Sequence, residues 1–220
     1  MKIRFVSRGK LVDFKEKYES EGENLILFGF EGMGEVSYEK ELKGESHDFE
    51  QVALLSKMSK TIVVCGCATD TRGLKRKSAV VAEKGRLCGV SDDTNVIDGE
   101  MNAGANLRIY ETELGRMGMV VAEDIFFPET VKALALCGSD FIVCPFGKVT
   151  DTFLQTLLRS YSYLYGVPIL LCGVGYSWIA DPFGQITFAS PQNTVTEFEN
   201  VKEYHLIETR RRGIRKAPLL

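Results

Sequence analysis

Short apolar runs of the kind that form β-strands recur along most of the chain, and several of them are apolar on both faces. The runs lie at 3–6, 25–30, 61–66, 78–82, 107–110, 117–122, 141–144, 169–172, 177–180 and 185–188. Three of them pass into the next run through a glycine-containing turn, at 83–86, 113–116 and 181–185, and such turns are typical of β-hairpins. Strands that are apolar on both faces need cover on both sides, which favours stacked layers.

Amphipathic segments lie between these strands. Ser46 is a candidate N-cap for a helix that ends near residue 60, and a proline at the start and a glycine beyond the end bracket a second helix over 128–137. A third helix begins at Thr150, and a short one is expected around 12–19. Helices with one apolar face cover the outer faces of sheets, so the pattern predicts an α/β fold, a four-layer α-β-β-α sandwich of two mixed β-sheets. Without a linker or low-complexity tract, we predict one domain over 1–220.

The overall composition is that of an ordinary globular protein, with 45% hydrophobic and 26% charged residues among 220. A formal net charge of −3 argues against a nucleic-acid partner, which would call for a basic face. The main basic cluster, at 210–212, 215 and 216, is interpreted as a solvated or subunit-contacting tail. No apolar stretch approaches the length of a membrane span, and charges interrupt the first ten residues, so we expect a cytoplasmic protein without a membrane partner.

The six cysteines lie mostly inside apolar runs and show no paired C-x-x-C spacing. Cys65 and Cys67 point to one face of a strand, but two soft ligands do not make a zinc site. The pattern favours reduced, buried thiols and predicts neither a metal site nor a cofactor.

Three stretches of the sequence carry a family resemblance that spans nearly the whole chain in a consistent order. They are GRLCGVSDDTNVIDGE (85–100), ELGRMGMVVAEDIFFPETVKALALCGSDFIVCP (113–145) and YSYLYGVPILLCGVGYSWIADPFGQI (161–186). Their most specific part is G-x-x-x-x-x-D-x-x-F-P-E, from Gly118 to Glu129. With these motifs the chain resembles a degenerate member of the carbon–nitrogen hydrolase (nitrilase/amidase) superfamily. The resemblance implies the same four-layer sandwich.

The resemblance also implies a chemistry in which a cysteine thiolate attacks an amide or nitrile, a glutamate moves protons and a lysine stabilises the oxyanion. The nucleophile position, four residues after Gly118, corresponds to Ala122. The lysine position corresponds to Asp93. The glutamate position corresponds to Glu31, with a one-residue shift of register as an alternative, and a supporting glutamate corresponds to Glu100.

An alanine cannot perform nucleophilic attack, and an aspartate reverses the charge where the oxyanion would form. We therefore predict a catalytically inactive protein, and the loss of two residues favours a natural change over an engineered knockout. Cys144, Cys65 and Cys67 are candidates for a displaced nucleophile, but core thiols are the favoured interpretation. No Ser-His-Asp arrangement is indicated, because both histidines, His47 and His205, lie in polar stretches.

The resemblance further predicts that Glu31, Asp93, Glu100, Glu123 and Asp124 converge near one cavity without a lysine to balance their charge. From this we predict a binding site for a small amine or cationic ligand, or for a hard metal ion through oxygen ligands. The predicted binding residues are Glu31, Asp93, Glu123 and Asp124. The alternative is that these carboxylates accept hydrogen bonds from backbone amides or face solvent.

The rim of this predicted cavity is expected to be short. Only 173–176 link the run that ends at Cys172 to the next run, and three bulky side chains, Phe126, Tyr176 and Trp178, are candidates to fill the space.

Three functions remain open at this point. The first is a non-catalytic binding or interaction protein with a nitrilase-like fold. The second is an active amidase-type hydrolase with an unrecognised nucleophile, and the third is a structural partner of an active paralogue. The resemblance also implies a homo-oligomer, a dimer or larger.

Overall fold

The computed structural model of the protein describes residues 1–97, 99–150 and 152–199, and its strands form two mixed sheets. The strands are β1 (Lys2–Val6), β2 (Leu25–Phe28), β3 (Glu35–Ser37), β4 (Ile62–Thr71), β5 (Leu74–Glu83), β6 (Arg86–Asp92), β7 (Ile109–Thr112), β8 (Gly115–Met119), β9 (Phe141–Lys148), β10 (Ile169–Val174), β11 (Tyr176–Ala180), β12 (Ile186–Ser190) and β13 (Thr194–Glu197). The first sheet has the order β13-β1-β2-β4-β5-β6, with β3 beside β4, and the second has the order β12-β11-β10-β9-β8-β7. Each sheet combines parallel central pairs with antiparallel pairs.

Helices flank the sheets. They are α1 (Leu11–Glu16), α2 (Tyr38–Lys43), α3 (Asp48–Ser59), α4 (Pro128–Leu136) and α5 (Phe153–Tyr165). Ser46 does not cap α3, because its hydroxyl donates to the Glu41 carboxylate and His47 is the residue before the helix. The helix predicted from Thr150 begins three residues later. Within the described ranges no helix combines the length and the apolar character that a membrane span requires.

Three apolar clusters define the layers. One lies between the two sheets, a second joins the second sheet to α4 and α5, and a third joins the first sheet to α1 and α3. Strand β5 shows the alternation that produces this arrangement, because Ala79 and Val81 pack between the sheets whereas Val80 and Ala82 pack under the helices. The predicted α-β-β-α sandwich is confirmed.

The three predicted hairpins join β5 to β6, β7 to β8 and β11 to β12. Their turn glycines, Gly85, Gly115 and Gly184, adopt φ values of 78°, 112° and 75°, which side chains disfavour. No sequence pattern predicted β3 or α2. The reason is that β3 has only three residues and α2 has no buried residue, so neither carries an apolar pattern.

The cysteines and histidines lie largely as expected. Four thiols are buried (Cys65, Cys67, Cys144 and Cys172), two are exposed (Cys88 and Cys137), and all six are free. His47 is exposed. His205 and the basic cluster at 210–216 lie outside the described residues.

Candidate functional site

The segment after β8 makes an abrupt change of direction at Ala122. The strand ends at Met119, earlier than the predicted run 117–122, and Ala122 opens a 3-10 turn that leads into α4. Val120 and Val121 lie beyond the end of the strand, but both still pack into the core. This packing accounts for the apolar run that extends past the strand. Ala122 has a φ of +46°, a left-handed conformation that costs a non-glycine residue about 1–2 kcal/mol. Strained residues of this kind cluster at functional sites.

Ala122 is buried in the cluster between the sheets, where it is 1% exposed. Gly118 at the start of the motif is a glycine for steric reasons, since a Cβ there would lie 2.6 Å from the Ser139 hydroxyl oxygen. The motif therefore brings an alanine methyl group, on a tight turn, to the edge of the inter-sheet core.

Asp93 follows β6 and is buried near the same edge, at 1% exposure. Its backbone N–H donates to the Lys77 carbonyl oxygen (2.9 Å), and its own carbonyl accepts from the Gly104 N–H (2.6 Å). Among the described residues, its carboxylate atom Oδ1 has no hydrogen-bond partner. Burial, followed by the nearby Asp124 charge, raises the pKa of Asp93 from 3.8 to about 7, against the opposing effect of Lys77.

Lys77 supplies a positive charge in this region that the family motifs do not indicate. It lies on β5, two and four residues before Ala79 and Val81, so it shares their inter-sheet face. Its Nζ lies 2.8 Å from Glu123 Oε2, and the two side chains are 14% and 25% exposed. Glu123 Oε2 has no hydrogen-bond partner in the described part of the chain, so this contact is an ion pair without hydrogen-bond geometry. The expectation that no cation balances these carboxylates was wrong, and the period-2 register of β5 was the signal that would have revealed Lys77.

Asp124 is occupied by the loop that follows Asp93. Its two carboxylate oxygens accept from the backbone N–H groups of Thr94 (2.9 Å) and Asn95 (2.8 Å), and also from both of their side chains. Burial raises the pKa of Asp124, while these hydrogen bonds act in the opposite direction. Asp124 thus positions the loop, as the alternative reading of the carboxylates anticipated, and its oxygens are not free for a ligand.

We expect Asp124→Asn to lower the free energy of unfolding by about 2 kcal/mol, measured by chemical denaturation. The amide would turn an NH₂ group toward donors and lose two charge-assisted acceptors. Asp13→Asn is the matched control, because Asp13 is exposed on α1 and its replacement should change stability by less than about 0.5 kcal/mol. Equal effects of the two substitutions would mean that the hydrogen bonds from Thr94 and Asn95 to Asp124 make no net contribution to the free energy of unfolding.

Glu31 does not join this group. It is exposed and lines a surface cavity of about 130 Å³ together with Arg8, Lys10 and Val174, whereas Asp93 is buried. The preceding residue, Phe30, packs against the inter-sheet cluster instead.

Phe30 is held at that position by two backbone features. Its N–H donates to the Phe146 carbonyl of the opposite sheet at 2.9 Å. Gly66 permits its close approach to β4, since a Cβ at Gly66 would lie 2.3 Å from the Phe30 Cα. The sequence left open that the glutamate position is shifted by one residue. With that shift the position falls on Phe30, whose aromatic side chain faces the core. Glu100 lies exposed in a turn.

The Cys144 thiol lies close to Ala122, with its Sγ 3.9 Å from the Ala122 carbonyl oxygen. It is fully buried, and burial followed by the Asp124 and Glu123 charges holds the pKa of the Cys144 thiol well above its usual range. Burial also raises the pKa of Cys65 and of Cys67, and raises the pKa of Cys172 to about 12. None of these buried thiols is in an environment that favours the reactive thiolate.

The three aromatic side chains expected to fill the cavity belong to the outer layer of the second sheet. Phe126 packs edge-to-face on Phe146 with ring centroids 6.0 Å apart, and Tyr176 lies 4.7 Å from Trp178. All of them pack in or against the cluster under α4 and α5, not between the sheets.

The hard-metal alternative has no ligand set in the part of the chain that the structure describes. No group of three or more His, Cys, Asp and Glu side chains there is arranged to hold a metal ion. Of the predicted ligand residues, Asp93, Glu123 and Asp124 are brought together, with Lys77 among them.

Comparisons with known proteins connect the fold to one superfamily. No protein-family model matches the chain. A probable nitrilase of Schizosaccharomyces pombe is 26% identical over 133 residues, which are 54% of this chain and 49% of that protein. The match thus spans about half the length of that relative.

Two solved structures superpose over most of the chain. An amidase from Nesterenkonia sp. has a TM-score of 0.75 at 16% identity, over 89% of this chain and 88% of that one. A carbon–nitrogen hydrolase from Helicobacter pylori G27 has a TM-score of 0.71 at 15% identity, over 88% and 86%. The chain has the fold of the nitrilase superfamily of carbon–nitrogen hydrolases, and its match to a probable nitrilase supports the membership that its motifs indicate.

Proposed function

We propose that this chain is a catalytically inactive nitrilase-fold protein that acts by binding or interaction. One observation carries the proposal, namely the alanine on the strained turn at the position where the resemblance expects the nucleophile. A methyl group has no lone pair to offer, so no acyl intermediate can form at Ala122.

The neighbouring position supports the same proposal. Asp93 stands where the resemblance expects the lysine, and at high pH it adds a negative charge. A carboxylate about 4 Å from an oxyanion repels it by about 4 kcal/mol at an effective dielectric constant of 20, where a lysine would attract it by as much. Lys77 does not replace that lysine, because its ammonium group is paired with Glu123.

The glutamate that the resemblance expects as the general base also lies away from the inter-sheet core. Glu31 is exposed beside Arg8 and Lys10, and the apolar Phe30 faces the inter-sheet core instead. A proton acceptor must lie within hydrogen-bond reach of the atom that it serves, whereas Glu31 is exposed and Phe30 has no acceptor group.

The main rival is a hydrolase that uses Cys144 as a displaced nucleophile. In a mutant of the Nesterenkonia amidase, acrylamide adds to the active-site cysteine by Michael addition. Cys144, in contrast, is fully buried in surroundings that disfavour the thiolate. We infer that it is a core thiol, packed with the apolar residues under α4 and α5.

An assay of the purified chain over a broad panel of amides and nitriles tests the proposal. We expect no turnover, and none after Ala122→Cys, because the thiol alone restores neither the base nor the lysine. Cys144→Ala and Cys88→Ala are a matched pair of a buried and an exposed thiol. Turnover that disappears with Cys144→Ala but persists with Cys88→Ala would establish the displaced nucleophile and refute the proposal.

The small amine ligand and the homo-oligomer remain predictions. The unpartnered Oδ1 of Asp93 is the atom that an amine would approach, but Lys77 already neutralises one of the neighbouring carboxylates. Less uncompensated negative charge is therefore left for an external cation to neutralise than the sequence predicted.

A further inference from the structure

We propose that the surface cavity at the ends of β1 and β2 binds a small zwitterion, namely an amino acid with a short side chain. The carboxylate of the ligand faces Arg8 and Lys10, and its ammonium group faces Glu31. Ala122 and Asp93 are not among the described residues that line this cavity. The inference therefore goes beyond the proposed function, and it holds whether or not the chain is catalytic.

The floor of the cavity is formed by the buried ends of two parallel strands. Val6 and Ser7 lie at the end of β1, and Gly29 and Gly32 lie in the segment that follows β2. A Cβ at Gly32 would lie 2.5 Å from the Cys65 sulfur, so no side chain fits at that position. The floor therefore carries no long side chain that would fill the cavity.

Hydrogen bonds between segments distant in the chain hold the walls of the cavity in place. The Arg8 N–H donates to the Asn193 side-chain oxygen (2.8 Å), and the Asn193 amide group donates to the Arg8 carbonyl (2.8 Å). The Leu11 N–H donates to the Gly32 carbonyl, also at 2.8 Å. A ligand thus meets a backbone that is already ordered, so its binding costs little conformational entropy.

Three charged side chains of both signs line this cavity without neutralising one another. Arg8, Lys10 and Glu31 are all exposed. None of the three takes part in an ion pair with any residue that the structure describes. Their charges are therefore available to a ligand.

The combination of signs selects the class of ligand. A carboxylate alone is attracted by Arg8 and Lys10 but repelled by Glu31, and an amine alone meets the reverse. A zwitterion complements both signs at once. The cavity volume of about 130 Å³ lies well below the roughly 300–1,000 Å³ of pockets for drug-sized ligands. This size favours an amino acid as small as glycine or alanine over one with an aromatic side chain.

NMR titration of the isotopically labelled full chain with alanine tests the proposal. We expect the amide signals of Gly9, Gly29 and Gly32 to shift with a dissociation constant on the order of 1 mM, because exposed charges give weak binding. Propionate and ethylamine each carry one half of the charge pattern of alanine, and each should bind at least about fivefold more weakly.

Substitutions on the two sides of the cavity separate the contributions of the charges. Glu31→Gln should weaken the binding of alanine about fivefold without weakening that of propionate, whereas Arg8→Gln with Lys10→Gln should weaken both. Glu16→Gln removes an exposed carboxylate on α1 and is the matched control, which should change neither.

Three outcomes would overturn the proposal. They are equal binding of alanine and propionate, alanine binding that Glu31→Gln leaves unchanged, and the absence of any shift at these amides at tens of millimolar alanine. Turnover in the amide and nitrile assay would refute the proposed function without changing any of these results.

Discussion

Asp93→Asn is expected to stabilise the protein at pH 8.5 by up to about 3 kcal/mol and to leave its stability at pH 4 nearly unchanged. The pKa of Asp93 is about 7 in the folded protein, whereas an unfolded aspartate has a pKa near 3.9. Between these values the folded state keeps a proton that the unfolded state has lost, so the wild type loses stability as the pH rises from 4 to 7. Below pH 4 both states are protonated, and above pH 7 the full penalty applies. Asparagine cannot ionise and removes this dependence.

Chemical denaturation of the two proteins at intervals from pH 4 to 8.5 measures the effect. Parallel pH profiles for wild type and variant would mean that Asp93 ionises normally, and the description of a buried, unpartnered carboxyl would then be wrong.

Lys77→Met is expected to destabilise the protein by about 2 kcal/mol at pH 8 and by less at pH 5. Methionine keeps most of the apolar stem but removes the cation that pairs with Glu123 at 2.8 Å and opposes the raised pKa of Asp93. At high pH the remaining carboxylates would repel one another without compensation. At pH 5 Asp93 is protonated, so the loss shrinks as the pH falls.

Lys75→Met is the matched control on the same strand. Lys75 forms an ion pair with Glu35 at 3.4 Å, but the two side chains are 45% and 79% exposed. Exposed pairs contribute little, so we expect a change below about 0.5 kcal/mol at any pH. If the two variants behave alike, the Lys77 pair has no special role at the site.

The parts of the fold that were predictable are those whose information is local. A glycine in a turn between apolar runs predicts a hairpin, as between β7 and β8. An apolar stripe on one side predicts a helix, as at α4. Helix starts were less accurate, because Ser46 bonds to Glu41, a partner on α2 that the sequence does not reveal. The short elements β3 and β13 are strands because neighbours pair with them.

At the site, the sequence by itself determined that no thiol stands at Ala122 and no ammonium group at Asp93, because residue identity needs no coordinates. Tertiary structure alone decided the surroundings: that Lys77 reaches Glu123, that Asp124 holds Thr94 and Asn95, and that Glu31 turns outward. The physical reason is that a side chain's charge and chemistry belong to the residue. Its burial and partners depend on strand register and on packing between segments distant in the chain.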